Sequence, residues 1–229
     1  MSELGPLLAS GRDADIFVCG PGLVLRRTRH GRSLEREATL MRYVAAHGFP
    51  APRVHDVRAG GAELIMERID GPTMLDEIVR RPWTFRRNAA RLAMLHQQLH
   101  EIPAPNWLDP LLEGGGSIVH LDLHPLNVIL SPKGPVLLDW TNARSGVGEA
   151  DVALTWLVLA VAELGETGIR AAVGAVVRRL FLRAFLGHFE LAHVRAVLPA
   201  VAAWKCEDRN MRPAEIAAMR RLSSTSPAR

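Results

Sequence analysis

The hydrophobic pattern of the chain changes once, at Asp70-Gly71-Pro72. Before that point, short β-prone runs alternate apolar and polar residues; after it, apolar residues recur mainly at helical spacing. Asp15–Gly20 and Leu23–Arg27 flank the turn signal Gly20-Pro21-Gly22 and read as a hairpin. Residues 33–47 read as a helix, with Leu34, Ala38, Met41 and Ala45 on one face, Ser33 as N-cap and Gly48 as C′ residue. Val54–Val57 and Glu63–Met66 read as two more strands. The sequence therefore predicts an N-terminal lobe over residues 1–69 and a mainly helical lobe over residues 70–229.

In the second part, Thr73–Arg80 and Phe85–His100 are predicted helices, the latter with Leu92, Leu95, His96 and Leu99 on one face. Pro103, Pro105 and Pro110 end that run. Short strands around an irregular loop are expected over Ile118–Leu130 and Val136–Leu138. Three helices are expected from Ala150 onward, the last opening at Pro213, with residues 223–227 as a frayed tail.

Composition excludes several classes. Of 229 residues, 48% are hydrophobic and 23% charged, which is ordinary for a globular chain and rules out disorder. Aromatic residues are only 5%, which weakens a reading as a binder that stacks RNA or single-stranded bases. The net charge of +4 comes from arginines spread among acidic residues, so a solvated surface is expected, with no nucleic-acid partner. Only two of the 28 basic residues are lysines, Lys133 and Lys205, so other sites needing a cation must use arginine. Cys19 and Cys206 make no disulfide framework, which fits a reducing compartment. The first residues have no basic stretch followed by an apolar one, and the apolar run over residues 152–162 falls short of the about 20 residues that span a bilayer. A cytoplasmic protein without membrane contact, monomeric or weakly dimeric, is expected.

The chemistry lies in His120-Leu121-Asp122-Leu123-His124-Pro125-Leu126-Asn127 and in Leu137-Leu138-Asp139-Trp140. Phosphoryl transfer needs a carboxylate beside the attacking hydroxyl, an amide oxygen turned back to hold a metal ion, and a second carboxylate that bridges the metal to the β- and γ-phosphates. Asp122, Asn127 and Asp139 match those roles in order: Asp122 as catalytic base, Asn127 and Asp139 as Mg2+ ligands. The apolar runs over 128–130 and 136–138, with a turn at Pro132-Lys133-Gly134, supply the strands between them.

These two stretches resemble the catalytic and metal motifs of the aminoglycoside phosphotransferases and related small-molecule kinases. The resemblance extends over nearly the whole chain. It implies an α+β, protein-kinase-like bilobal fold: a small antiparallel-sheet lobe with one helix, then a mainly helical lobe. It also implies ATP and Mg2+ as cofactors and a small-molecule hydroxyl as acceptor. Where the family's motif has glycine, this chain has Leu121 and Leu126. The family's phosphate-binding lysine is matched by Arg26, with Arg27 as alternative, and its helix glutamate by Glu37, with Glu35 as alternative. Glu37 shares a helix face with Leu34, Leu40 and Met41, so it points inward and needs a cation. Ser10–Asp15 lies where the family has a glycine-rich loop, but carries Gly11 alone. Met66, Glu67 and Ile69 occupy the segment whose backbone lines adenine in this fold. Asp151 stands where the family has an aspartate that caps the next helix and ties it to the catalytic loop, and His96 where a helix histidine packs beneath that loop; His120 is expected to brace the loop by hydrogen bonds.

No G-x-x-x-x-G-K-[ST] run exists, which excludes a P-loop nucleotidase. His96 and His100, one helical turn apart, lack the H-E-x-x-H pattern or cysteine pair of a zinc site. No A-P-E segment follows Asp139, which argues against a protein substrate. Two readings remain: a small-molecule kinase, and a catalytically weak or inactive nucleotide-binding module. Glu163, Glu166, Glu190, Glu207 and Asp208 could receive a cationic acceptor, but arginines outnumber them locally, so an aminoglycoside is not favoured.

Overall fold

The computed structural model describes residues 4–11, 13–29, 31–112, 114–161, 168–208 and 211–224. The chain forms two compact units. The first is the chain up to Pro72 together with Ile129–Thr141; the second is Thr73–Val128 together with the chain from Asn142.

The first unit is built on an antiparallel five-stranded sheet in the order β1-β2-β3-β5-β4: β1 (Leu7–Ser10), β2 (Ala14–Gly20), β3 (Leu23–Thr28), β4 (Val54–Arg58) and β5 (Glu63–Glu67). The β2–β3 hairpin turns at Gly22, whose φ of +69° suits glycine. Helix α1 (Glu35–Ala46) buries Ala38, Leu40, Met41 and Val44. Each large apolar side chain so buried contributes about 1.5–3 kcal/mol. The helix runs from Glu35 with Leu34 in the cap position, and the Ser33 hydroxyl still accepts from the Glu35 amide at 3.3 Å; Leu34 is buried and its amide donates to the Gly61 carbonyl at 2.7 Å. Gly48 follows the helix with φ of +79°.

The hairpin β7 (Val128–Ser131) and β8 (Gly134–Leu137) groups with this unit, although it follows residue 70 by almost 60 residues of sequence. The Leu130 amide donates to Pro72 at 2.9 Å and the Leu137 amide to Pro50 at 3.0 Å. Trp140, wholly buried, meets Phe49 edge-on at 5.6 Å. A single cut at residue 69 or 70 therefore does not describe the grouping of the chain.

The second unit is mainly helical. Helix α2 (Met74–Arg80) opens with a capping box in which the Thr73 hydroxyl accepts from the Asp76 amide at 3.0 Å and the Asp76 carboxylate accepts from the Thr73 amide at 3.2 Å. Helix α3 (Phe85–His100) buries Leu92, Leu95, His96 and Leu99. Strands β6 (Ser117–Val119) and β9 (Arg144–Gly146) pair antiparallel beside it. Helix α4 (Gly148–Val161) is mostly apolar, with Ala150–Thr155 and Leu157 all buried, and packs against α3, α5 (Gly168–Leu186), α6 (Leu191–Cys206) and α7 (Pro213–Ser224). Four helices thus follow Ala150 among the described residues, where three were expected, because Gly187–Glu190 divides the apolar stretch into α5 and α6. Ser223 and Ser224 belong to α7, their hydroxyls donating to the carbonyls of Arg220 and Arg221 at 3.0 Å each, and do not fray; residues 225–229 lie outside the described ones. Among the described residues, no helix is long and apolar enough to cross a membrane.

Candidate functional site

The candidate residues fall into two groups, one in each unit. In the first unit, alternation along β3 separates Arg26 from Arg27. Arg27 turns to Glu63, its Nε donating at 2.9 Å, and lies over the Phe17 ring. Arg26 turns to the other face, where Nη1 meets Glu37 Oε1 at 2.5 Å and Nη2 lies 3.2 Å from both Asp139 Oδ1 and Thr141 Oγ1. Glu37 is buried on α1, whereas Glu35 is exposed. The Thr141 hydroxyl donates to Glu37 Oε2 at 3.2 Å, so one carboxylate holds both a guanidinium and a hydroxyl. Burial pushes the Glu37 carboxyl above its ordinary range, more than the Arg26 charge lowers it. Burial also works against the Arg26 charge, but Glu37 and Asp139 outweigh it and keep the guanidinium firmly protonated.

Asp139 follows β8 and takes φ of +59°, an uncommon conformation that aspartate tolerates better than most side chains. Gly11 lies in the tight β1–β2 turn, its amide donating to the Ala14 carbonyl at 2.9 Å. Beside it, Asp15 is held below the usual carboxylate range by Arg29 and Ser10. Along the Met66–Ile69 segment, the Glu67 amide is taken by Arg53 and the Arg68 amide by Gly22, at 2.8 Å each. No hydrogen bond engages the Ile69 amide among the described residues.

In the second unit, β6 delivers the chain into the loop His120–Asn127. Its anchor is Asp151 in the first turn of α4, fully buried, which accepts from the His120 and Leu121 amides at 2.8 Å each and lies 3.3 Å from His100 Nε2. Burial opposes the Asp151 charge, but the His100 hydrogen bond and the neighbouring histidines hold its carboxyl far below the usual range. Two backbone donors favour the ionised form further. Asp151 is thus not a helix cap; it joins α4 to the loop backbone. The anchor fixes Leu121 at φ of +59°, the left-handed region that glycine occupies freely. The strain, of order 1–2 kcal/mol, is offset by complete burial of the Leu121 side chain. Leu126 has no such conformation and is exposed, so no glycine is needed there.

Asp122 Oδ2 accepts from the Asn127 side-chain amide at 2.9 Å, and that same amide donates to the Asp122 carbonyl at 2.9 Å. Asp122 Oδ1 lies 3.2 Å from His124 Nε2. Burial raises the Asp122 carboxyl, but His124, with the charges of His120 and Lys205, brings it below the usual range. It is therefore an anion at neutral pH. Beneath the loop, the Thr155 hydroxyl donates to the Leu123 carbonyl at 2.8 Å and lies 3.1 Å from His96 Nε2. Burial drops the His96 imidazole to about 4, which keeps it neutral.

The donor set can be tested for magnesium. Asn127 spends its N–H2 on Asp122, and among the described residues no hydrogen bond engages its amide oxygen. Asp139 supplies carboxylate oxygens. These are hard oxygen donors, the kind Mg2+ takes while keeping several waters. Among the described residues, no three His, Cys, Asp or Glu side chains converge as an ion site of the zinc kind.

The model of one protein family matches residues 6–113 and 70–204, and its description is Phosphotransferase enzyme family. The chain belongs to that family. No curated protein matches this phosphotransferase. Solved structures of similar fold include a choline/ethanolamine kinase family protein from Mesorhizobium loti, 16% identical, covering 96% of this chain and 87% of that one, with a TM-score of 0.63. Aminoglycoside phosphotransferase APH(4)-Ia is 16% identical over 97% of this chain and 92% of its own, with a TM-score of 0.66. Amicoumacin kinase hAmiN, solved with AMP-PNP, Ca2+ and amicoumacin, is 16% identical over 97% and 88%, with a TM-score of 0.56. This phosphotransferase thus has the α+β protein-kinase-like fold.

Three residues of the phosphotransferase escape sequence reasoning. Thr141 and Arg32 join Arg26 and Glu37, Arg32 Nη2 reaching Thr141 Oγ1 at 3.0 Å. Their separation of 109 residues hides the pairing; the one signal is that Thr141 stands two residues after Asp139. Lys205, in the last turn of α6, pairs with Asp208 at 2.7 Å, and its charge acts on Asp122. Its rarity as a lysine was the available signal. Of the acidic residues considered for an acceptor, Glu163 and Glu166 lie outside the described residues.

Proposed function

We propose that this phosphotransferase moves the γ-phosphoryl group of ATP to a hydroxyl of a small molecule. The observation that carries the reading is the Asp122 carboxylate, ionised, held by Asn127 and His124 in a loop that Asp151 fixes through its backbone. In this reading Asp122 orients the acceptor hydroxyl and takes its proton as the bond to phosphorus forms. Its low pKa suits a transfer that depends more on positioning than on strong basicity. Asn127 and Asp139 would hold Mg2+, which supplies charge neutralisation for the β- and γ-phosphates. Arg26, kept charged and aimed by Glu37, would grip the α- and β-phosphates with its planar fork. The Met66–Ile69 segment would receive adenine, with the Ile69 amide as donor.

The acceptor is a neutral or weakly charged alcohol on this reading. APH(4)-Ia has been solved with hygromycin B and hAmiN with amicoumacin. Here Arg178, Arg179, Arg183, Arg195, Arg220 and Arg221 lie on α5–α7, with Arg212 just before α7, while Glu215 is the one acid on those helices among the described residues, a poor balance for a polycation. The reading also takes the unit with the five-stranded sheet as the nucleotide lobe and the helical unit as the acceptor lobe, and the protein as cytoplasmic, a monomer or weak dimer. A catalytically weak nucleotide-binding module is the second reading, favoured by the β1–β2 turn, whose single glycine amide is already bonded.

Titration calorimetry with ATP, with and without Mg2+, separates these readings when followed by an ADP-release screen over sugars, amino alcohols and antibiotics. Metal-dependent micromolar binding plus ADP release with one acceptor class supports the kinase. Binding without release against any acceptor leaves the module. Absence of binding overturns both.

A further inference from the structure

Arg32 is a cation close to Asp139's neighbour Thr141 that the proposed reaction leaves unused. Its backbone is fixed: the Thr28 hydroxyl donates to the Arg32 carbonyl at 3.0 Å, and two residues on the Leu34 amide donates to Gly61. Gly61, at φ of +94°, permits this approach; a Cβ there would lie 2.3 Å from Ser33 Oγ. The side chain is built differently from its base. It is 52% exposed, against 11% for Arg26. Among the described residues its guanidinium meets only the Thr141 hydroxyl at 3.0 Å and, at 3.9 Å, the Glu37 carboxylate that Arg26 already holds.

Two guanidinium groups therefore converge on one neutral hydroxyl beside Asp139. A divalent cation on Asp139 would withdraw that carboxylate from Arg26. Two guanidinium groups and a divalent metal would then face the two carboxylates of Glu37 and Asp139, an excess of positive charge that calls for an anion. The β1–β2 turn carries a single glycine, Gly11, and that amide donates to the Ala14 carbonyl within the turn, so it is not offered to a phosphate. An arginine fork suits phosphate oxygens.

We propose that Arg32 is a second phosphate-binding residue, held on the Thr141 hydroxyl in the free protein and transferred to the β/γ end of the nucleotide's polyphosphate on binding. The inference rests on the nucleotide-binding reading given above. The test is binding of Mg·ATP, Mg·ADP and AMP to the wild type, Arg32→Ala and Arg32→Lys, with melting temperature as the folding control. Arg32→Ala is expected to weaken ATP and ADP about tenfold and to leave AMP unchanged, at an unchanged melting temperature. Arg32→Lys keeps the charge without the fork and is expected to recover part of the loss. Equal losses on all three nucleotides, or none on ATP, overturn the role of Arg32. A wild type that binds no nucleotide overturns the reading beneath it as well.

Discussion

The two groups of site residues are held by opposite means. In the first unit, Arg26, Glu37, Asp139, Thr141 and Arg32 hold one another side chain to side chain. In the second, a buried carboxylate holds backbone: Asp151 grips two consecutive amides, and Thr155 grips the Leu123 carbonyl. Side-chain pairs exchange partners within a rotamer change, so a ligand that comes and goes can take them over. A backbone anchor cannot be exchanged without unfolding the loop. The first group can therefore exchange partners, whereas the second is held in one geometry.

The sharpest break in this comparison is Asp122→Asn. It keeps the Asn127 contact geometry but removes the proton acceptor, and turnover is expected to fall by about 10²–10⁴-fold. Calorimetry should find Mg·ATP binding unchanged; retained turnover would remove Asp122 from the role of base. Next comes Asp151→Ala, which strips the acceptor from two buried amides at a cost of roughly 2–6 kcal/mol. Urea unfolding measures it, and a loss under 1 kcal/mol would mean that the loop is held elsewhere.

The third prediction concerns pH. His96 has its imidazole lowered to about 4 by burial, against about 6.5 when unfolded. Its contribution is present above pH 6.5 and is lost as pH falls toward 4, by about 3 kcal/mol in all. Asp122 and Asp151, both lowered, add their losses only below about pH 4. Unfolding free energies at pH 7 and pH 5 should differ in the wild type and differ less in His96→Leu. The smallest effect belongs to the exchangeable group. Arg26→Lys keeps the charge near Glu37 but loses the fork that reaches Asp139 and Thr141 together, so Mg·ATP affinity should drop about tenfold with little change in stability. A collapse of stability in that variant would mean that the first group is structural rather than exchangeable.

Local pattern explains what was legible beforehand. Helix α3 was visible over Phe85–His100 because Leu92, Leu95, His96 and Leu99 recur on one face and nothing competes with that period. The inward direction of Glu37 followed from the same arithmetic on α1. Strand β1 was not legible: Leu7–Ser10 is exposed at every position, so no alternation marks it, and only its pairing to β2 makes it a strand. The left-handed Leu121 was hidden for another reason. A leucine at such a position is disfavoured locally and is sustained by Asp151, 30 residues away. Thr141 carried no signal that composition or period could amplify, because its partners lie more than a hundred residues earlier.

The placement of β7 and β8 has a consequence for synthesis. A ribosome releases the first 72 residues long before Ile129–Thr141, yet Phe49 waits for Trp140 and the Pro50 carbonyl for the Leu137 amide. The nascent N-terminal sheet therefore cannot complete its own core by folding first, as a leading domain usually does. Its last packing surface emerges only after α2, α3 and the whole His120–Asn127 loop have been translated. A translational pause or premature stop anywhere between residues 73 and 141 would leave Phe49 without the Trp140 ring and the Pro50 carbonyl without its donor, which makes the partial chain a client for chaperones and proteases.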